Sequence, residues 1–140
     1  QQSLPASMAG PRSAQEGAEL LLTPTGTVRP VGSGHSWSGL VPCDDTLVTL
    51  DGLNGLISHD NTSMQAESWS GTKLFAYGPM LEEVGQAIIN MSDIDYQTMA
   101  GAVSTSTHGT GNGLGSISSF VVGLQLVTPN GEIIECSADR

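Results

Sequence analysis

The sequence predicts an α+β domain in which short strands outnumber the helices. Thr46 to Leu53 alternates apolar and polar residues before a turn, which is typical of a strand with one buried face. Apolar residues recur at helical spacing in only two segments. Near the carboxyl end, over 120–137, two apolar runs flank the tripeptide PNG and predict a β-hairpin. A chain of 140 residues is long enough to bury its own core.

The remaining elements follow from start and stop residues along the chain. Residues 1–12 are small, polar and interrupted by proline, and we expect them to be irregular. Ser13 is a suitable N-cap for a helix through AQEGAELLL, because Glu16 stands at the capping-box position. The segment TVRPVG predicts a strand, and SMQAESWSGTKLFAYGP predicts one or two more. The most periodic helix starts at Pro79 and continues through MLEEVGQAIINM, since proline is favoured at the first helical position.

The charge balance restricts the possible partners. Four Lys and Arg residues against fourteen Asp and Glu residues give a net charge of −10. We therefore expect no binding of nucleic acid. No apolar run approaches the length of a transmembrane helix, so we also expect no membrane anchor in this chain. Cys43 and Cys136 are too few and too far apart for a disulfide framework or a zinc site, and they favour reduced thiols in the cytoplasm.

A first glycine-rich segment, VGSGHSWSG, follows the TVRPVG strand directly. It is not the GxGxxG fingerprint, because Trp37 stands at the third glycine position, and the chain has no GxxxxGK loop. It is not a GxSxG nucleophile elbow either, since Ser38 replaces the second glycine. Successive small residues can instead point backbone amides at an anion such as pyrophosphate, with the hydroxyls of Ser33, Ser36 and Ser38 as further donors.

A second segment, 92–116, is rich in Gly, Ser and Thr and is too long for an ordinary connection. Its hydroxyl-bearing residues can form one wall of a binding site, and its glycines allow the backbone to approach a flat ligand. Two such walls suggest a large cofactor between them.

Together these segments resemble the FAD-binding domain of the vanillyl-alcohol oxidase superfamily, specifically its sugar-lactone and alditol oxidase branch. The resemblance is carried by VRPVGSGHSWSG and, roughly sixty residues later, by DIDYQTMAGAVSTSTHGTGNGLGSISSFVVGLQLVTPNGEI. It implies a PCMH-type FAD-binding domain over 13–140, made of two small α/β subdomains with FAD between them. The implied activity is flavin-dependent oxidation of an alcohol group on a sugar lactone or polyol.

The resemblance also assigns roles to individual residues. His35 corresponds to the histidine whose ring nitrogen is joined to the methyl carbon at C8 of the flavin, and a neutral imidazole is a competent nucleophile near neutral pH. The other positions that match the family's FAD-binding residues are Val31, Gly32, Ser33, Gly34, Ser36, Asp93, Thr98, Gly101, Ala102, Ser104, Thr105, Thr107, His108 and Gly109. His108 also suits a structural role in the THGTG turn, and we favour that role.

Some residues fall outside this assignment or have a second interpretation. His59 matches no motif and is interpreted as an exposed loop histidine. Asp93 and Asp95 are close in sequence, but without further ligands they suit a turn or cap rather than a metal site. Ser92 stands where the family commonly has glycine or alanine, a position linked to oxygen access, which leaves oxidase and dehydrogenase both open.

Family members also have a second domain that caps the flavin and supplies substrate-binding and proton-accepting groups. No segment of this chain corresponds to it, so we expect a missing C-terminal cap domain and no catalytic residue within the chain. Two other interpretations stay open. One is a non-catalytic module that keeps the fold without flavin, and the other is a protein whose amide nest holds another nucleotide or phosphate ligand.

Overall fold

A computed structural model describes residues 4–23 and 26–138, which form two compact units. Unit 1 contains the described residues up to Val31, then His35–Gly52, then the described residues from Val121. Unit 2 contains Gly32–Gly34 and Leu53–Phe120. The mixture of helices and strands confirms the predicted α+β class.

A three-stranded parallel sheet lies in unit 1. The strands β1 (Ser7–Ala9), β2 (Val28–Val31) and β3 (Thr46–Thr49) are arranged in the order β1-β3-β2. Thr46 of the central strand pairs with both neighbours. The strand predicted from TVRPVG is thus confirmed as β2, and the strand predicted over 46–53 is confirmed but ends at Thr49.

The first strand differs from the sequence prediction, which assigned no regular structure to residues 1–12. β1 forms because its peptide groups pair with those of β3, and the three residues of β1 do not specify this pairing by themselves. The hydroxyls of Ser7 and Thr46 also form a 2.8 Å hydrogen bond between these strands.

The first helix, α1 (Ala14–Leu22), begins as predicted. The Ser13 hydroxyl accepts a 3.1 Å hydrogen bond from the Glu16 amide, and the Glu16 carboxylate accepts one from the Arg12 amide at 2.7 Å. The first bond satisfies an amide that the first helical turn leaves without a partner, and the second fixes the residue before the N-cap. The helix contacts the antiparallel hairpin of β6 (Gly123–Val127) and β7 (Ile133–Ser137), which confirms the hairpin predicted around PNG.

Unit 2 has a separate core. Its elements are the antiparallel pair β4 (Leu56–Asp60) and β5 (Gln65–Ser68), the helices α2 (Leu74–Glu83) and α3 (Met99–Ser104), and a short 3-10 helix (Ile117–Phe120). Leu74, Ala102 and Ile117 are its buried centre, and Met91, Met99 and Val103 pack around them. The core therefore joins both α-helices of this unit.

The second helix starts earlier and ends earlier than the sequence predicts, and Pro79 lies inside it. The amides of Leu74 and Phe75 donate to the carbonyls of Gln97 and Asp95, both at 3.0 Å, so tertiary contacts fix the first turn before proline can. The predicted start at Pro79 was wrong because residues distant in sequence determine where this helix begins. The proline is tolerated inside the helix.

The end of α2 is set by Gly85, which has a positive φ of 75°. The amides of Gly85 and Gln86 donate to the carbonyls of Glu82 and Leu81, which is the Schellman arrangement. The Gln86 side chain then donates to the carbonyls of Asp60 and Gln65 in the β4–β5 hairpin. The periodic apolar residues beyond Gly85 therefore belong to no helix.

Two further elements were not predicted. The strand β4 carries His59, which is exposed as expected but does not lie in a loop. The helix α3 lies within the segment that was predicted to be a long loop. In addition, the residues LFAYGP, which were read as part of a strand, are helical.

Candidate functional site

The loop Gly32–Gly34 is the part of the first glycine-rich segment that belongs to unit 2. Gly34 has a φ of 70°, and a Cβ placed on it would meet no heavy atom within 4 Å. Left-handed residues among small neighbours are typical of backbone nests that bind anions. The loop therefore presents open backbone at Gly34.

The start of this loop is packed closely against α3. A Cβ on Gly32 would collide with the side-chain oxygen of Thr98. Thr98 is the N-cap of α3, is 1% exposed, and accepts a 3.1 Å hydrogen bond from the Gly101 amide. The absence of a side chain at Gly32 thus lets the loop approach the helix cap.

The Ser33 hydroxyl is held by two partners. It donates to the carbonyl of Tyr96 at 2.5 Å and accepts from the ammonium group of Lys73 at 2.9 Å. A hydroxyl has one proton, and here that proton is engaged by Tyr96. In this arrangement Ser33 has no hydroxyl proton for a ligand, in contrast to the donor role expected from the sequence.

Lys73 is a residue that the sequence analysis missed, because anion binding was assigned to backbone amides and serine hydroxyls. It is the only lysine or arginine between residues 53 and 120 and the only lysine in the chain. That solitary positive charge in an acidic chain is the signal that could have identified it.

The second glycine-rich segment places its hydroxyls in a chain of hydrogen bonds. The Thr105 hydroxyl donates to the carbonyl of Gly101 at 2.9 Å, and it lies 3.0 Å from the Thr107 hydroxyl. Because Thr105 uses its proton on Gly101, Thr107 is the donor between the two threonines. The Gln97 side chain completes the chain by donating to Thr107 at 3.0 Å. Gln97 is a second residue that sequence reasoning missed.

Ala102 has a structural role in this segment. Its side chain is 0% exposed and packs in the unit 2 core with Leu74 and Ile117. The alanine therefore helps to fix the position of α3. Because it is fully buried, a ligand cannot contact it directly.

His108 and Gly109 form a tight turn after α3. Nδ1 of His108 lies 2.8 Å from the carbonyl oxygen of Gly109. Since a carbonyl only accepts, Nδ1 carries the proton in this contact, which supports the structural role expected for His108. A Cβ on Gly109 would collide with the side chain of Asn90 and the carbonyl of Met91.

Three predicted residues, Val31, His35 and Ser36, lie in unit 1. Val31 ends β2 and is half-buried, whereas His35 and Ser36 are exposed. The Ser36 hydroxyl accepts from the Ser38 amide at 3.3 Å, which orders the turn after His35. Exposure leaves the imidazole of His35 accessible to a ligand.

Among the predicted residues of the second segment, Asp93 and Ser104 are exposed. Next to Asp93, the Ser92 hydroxyl donates to the carbonyl of Ile94 at 2.5 Å, so this stretch forms a local turn. Asp93 thus lies in the turn setting that the sequence suggested for it.

Within residues 4–23 and 26–138, no group of three His, Cys, Asp or Glu side chains could hold a metal ion. In the same part of the chain, no helix has both the length and the apolar character needed to cross a membrane. Cys43 is buried and its thiol lies 3.4 Å from the carbonyl of Thr27.

Comparison with known proteins places these features in a family. Residues 5–137 match the model of the FAD binding domain. The chain is 36% identical over 110 residues to the L-gulono-1,4-lactone dehydrogenase of Mycobacterium tuberculosis, covering 79% of this chain and 26% of that protein. It is 34% identical over 112 residues to the D-arabinono-1,4-lactone oxidase of Candida glabrata, covering 77% and 21% respectively. The sugar-lactone branch predicted from the motifs is thereby confirmed.

The fold is similar to that of solved oxidase structures. The 6-hydroxy-D-nicotine oxidase of Arthrobacter nicotinovorans superimposes with a TM-score of 0.76 at 19% identity, over 99% of this chain and 31% of that one. This likeness supports the PCMH-type fold and nothing about the substrate. The chain spans about a quarter of the length of the two lactone enzymes.

The described residues fit a flavin nucleotide. The open backbone at Gly34 suits a phosphate, as described above. The amide nitrogen of the Asn90 side chain is buried and has no hydrogen-bond partner among the described residues. Buried donors nearly always have a partner, so this nitrogen suits a ligand acceptor. With the family model matching almost the whole described chain, the protein belongs to the FAD-binding domain family, and FAD is its cofactor.

Proposed function

We propose that this chain is the FAD-binding portion of a flavin-dependent oxidoreductase that oxidises an alcohol group of a sugar lactone or polyol. The observation that carries the proposal is the 36% identity to a lactone dehydrogenase across 79% of the chain. Residues 5–137, which match the FAD binding domain model, contain the motif residues that the sequence analysis assigned to FAD.

The chain's own residues divide the task of holding the cofactor. The backbone of Gly32–Gly34 would hold the diphosphate, since a nest of amides binds anions without added positive charge. The hydrogen-bonded chain of Gln97, Thr107 and Thr105 would keep the second segment in a fixed conformation. When bound, FAD would supply the acceptor for the hydride that leaves the alcohol carbon.

His35 is proposed as the site of covalent attachment to FAD. Its support is the exposed imidazole and its place in the GSGHS motif. A covalent link would keep the cofactor bound even when noncovalent contacts are weak.

The substrate-binding and proton-accepting groups are proposed to lie on a cap domain outside these residues. The aligned regions cover 26% and 21% of the two lactone enzymes, which leaves room for such a domain. Both a dehydrogenase and an oxidase occur among these relatives. Ser92 does not indicate whether oxygen or another molecule accepts the electrons. A cytoplasmic location belongs to the same proposal.

The test is a visible absorption spectrum of the purified chain, reconstituted with FAD, before and after acid precipitation. Flavin absorbance that stays with the redissolved protein is the expected result. His35→Ala should move the flavin to the supernatant, whereas His59→Ala, which changes an exposed histidine outside both motifs, should leave it on the protein. A chain that binds no added FAD would contradict the function. A His35→Ala variant that keeps the full covalent adduct would contradict the attachment site alone.

A further inference from the structure

The first turn of α2 has an unusual residue at its N-cap. Helix N-caps favour Ser, Thr, Asp or Asn, whose oxygens accept from the first amides, but here the N-cap is Lys73 and its side chain makes no capping hydrogen bond. A cation at this end also opposes the positive end of the helix dipole. Local helix stability therefore does not explain the choice of lysine.

The helix does not depend on Lys73 for capping because other groups cover its first amides. The carbonyls of Gln97 and Asp95 accept from Leu74 and Phe75. The backbone of Lys73 also forms an antiparallel bridge with Thr98, the residue against which Gly32 packs. The lysine is thus fixed beside the glycine loop by its own backbone.

The side chain of Lys73 extends to that loop. Its ammonium group donates to the Ser33 hydroxyl at 2.9 Å, and Ser33 lies between Gly32 and Gly34. Lys73 is half-buried, which makes its charge less screened than that of an exposed lysine. The one positive side chain of residues 53–120 is therefore held at Ser33, the residue next to the open backbone of Gly34.

We infer that Lys73 is a diphosphate-binding residue that contacts a phosphate of FAD at the loop Gly32–Gly34. This inference rests on the proposed function. Its consequence is that the nest is not purely a backbone site. Lys73 supplies a charge-assisted hydrogen bond where the Ser33 proton is already engaged by Tyr96.

Because Lys73 is the only lysine of the chain, its reactivity can be followed in the unmodified protein. An amine-acylating reagent is applied with and without FAD, and with inorganic pyrophosphate as a second probe, and the acylated Lys73 peptide is quantified by mass spectrometry. Both probes should slow acylation of Lys73, with the N-terminal amine as internal control. If bound FAD leaves the rate of Lys73 acylation unchanged, the inference is overturned.

Equilibrium binding separates a charge effect from a packing effect. In the His35→Ala background, where FAD binding is reversible, Lys73→Met should weaken FAD binding by on the order of tenfold and flatten its dependence on salt. Lys73→Arg should retain most of the affinity and the salt dependence. Gln15→Glu, which makes the same change in net charge on the exposed start of α1, should match the parent.

Ser33→Ala tests whether Lys73 acts only through its bond to Ser33. This variant removes the bond and keeps the charge, so it should preserve the salt dependence that Lys73→Met loses. Equal losses of affinity and salt dependence in both variants would show that Lys73 only fastens the loop, which overturns the inference. A parent chain that binds no FAD would instead refute the proposed function, whereas a binding parent with an unaffected Lys73→Met refutes only the role of Lys73.

Discussion

Thr98 lies directly against Gly32 while its hydroxyl caps α3, so one side chain supports both the helix and the glycine loop. The contact joins residues that are 66 positions apart in the sequence. Any side chain at residue 32 must displace the cap or move the loop. This relationship makes Gly32 a residue required by packing, whatever ligand the loop holds.

Gly32→Ala should accordingly destabilise the chain by about 1–3 kcal/mol, the usual cost of overpacking a tight contact. Removing the colliding oxygen in Thr98→Ala costs about 1 kcal/mol through loss of the cap. In the double variant the collision is relieved, so the combined loss should be smaller than the sum of the single losses. Urea unfolding of the four proteins measures this coupling, and strictly additive losses would show that the two residues do not contact.

Gly34 should respond to substitution for a different reason. Its φ of 70° strains most side chains, but the surrounding space is open. Gly34→Val should lose at least about 1–2 kcal/mol, whereas Gly34→Asn should lose less, because asparagine tolerates left-handed backbone. Thermal unfolding of apo protein gives the comparison. Equal losses in both variants would indicate crowding rather than backbone strain.

Two glycines at α2 should give effects of opposite sign. Gly78 lies inside the helix, and a Cβ there would meet no heavy atom within 4 Å, so Gly78→Ala should stabilise the chain by about 0.5–1 kcal/mol. Gly85 ends the helix with a φ of 75°, so Gly85→Ala should destabilise it by about 1 kcal/mol. The urea midpoints should therefore move in opposite directions, and a shared direction would contradict the assigned helix end.

The sequence allowed prediction of elements whose signals are local. The Ser13 cap with Glu16 and the PNG hairpin depend on neighbouring residues, and both form as predicted. In contrast, β1 depends on pairing with a strand far along the chain, and the start of α2 depends on the carbonyls of Asp95 and Gln97. No local pattern encodes such contacts.

The same distinction holds for the candidate site. The motif residues could be named from the sequence because small residues in a fixed order are a readable pattern. The contact of Lys73 with Ser33 could not, because it joins two segments 40 residues apart and lysine carries no positional signal at a helix start. Likewise, only the fold shows that the Ser33 proton is engaged by the Tyr96 carbonyl.

The buried phenol of Tyr77 should make the stability of the chain depend on alkaline pH. Burial raises the pKa of the Tyr77 phenol, while a hydrogen bond with Ser68 acts in the opposite direction more weakly. A raised folded pKa means that the native state holds this proton more tightly than the unfolded chain does. The resulting stabilisation is complete below the ordinary tyrosine pKa of about 10 and is lost as the pH rises through the folded value.

The wild-type urea midpoint should therefore fall as the pH rises from about 9 to 11, around that ordinary tyrosine value. Tyr77→Phe should reduce the steepness of this fall, because the buried phenol no longer titrates. Tyr96→Phe is the control for removing a phenol hydroxyl at the surface, since Tyr96 is 65% exposed, against 6% for Tyr77. If Tyr77→Phe loses stability with pH as steeply as the wild type, ionisation of the buried phenol is not what limits the alkaline stability of unit 2.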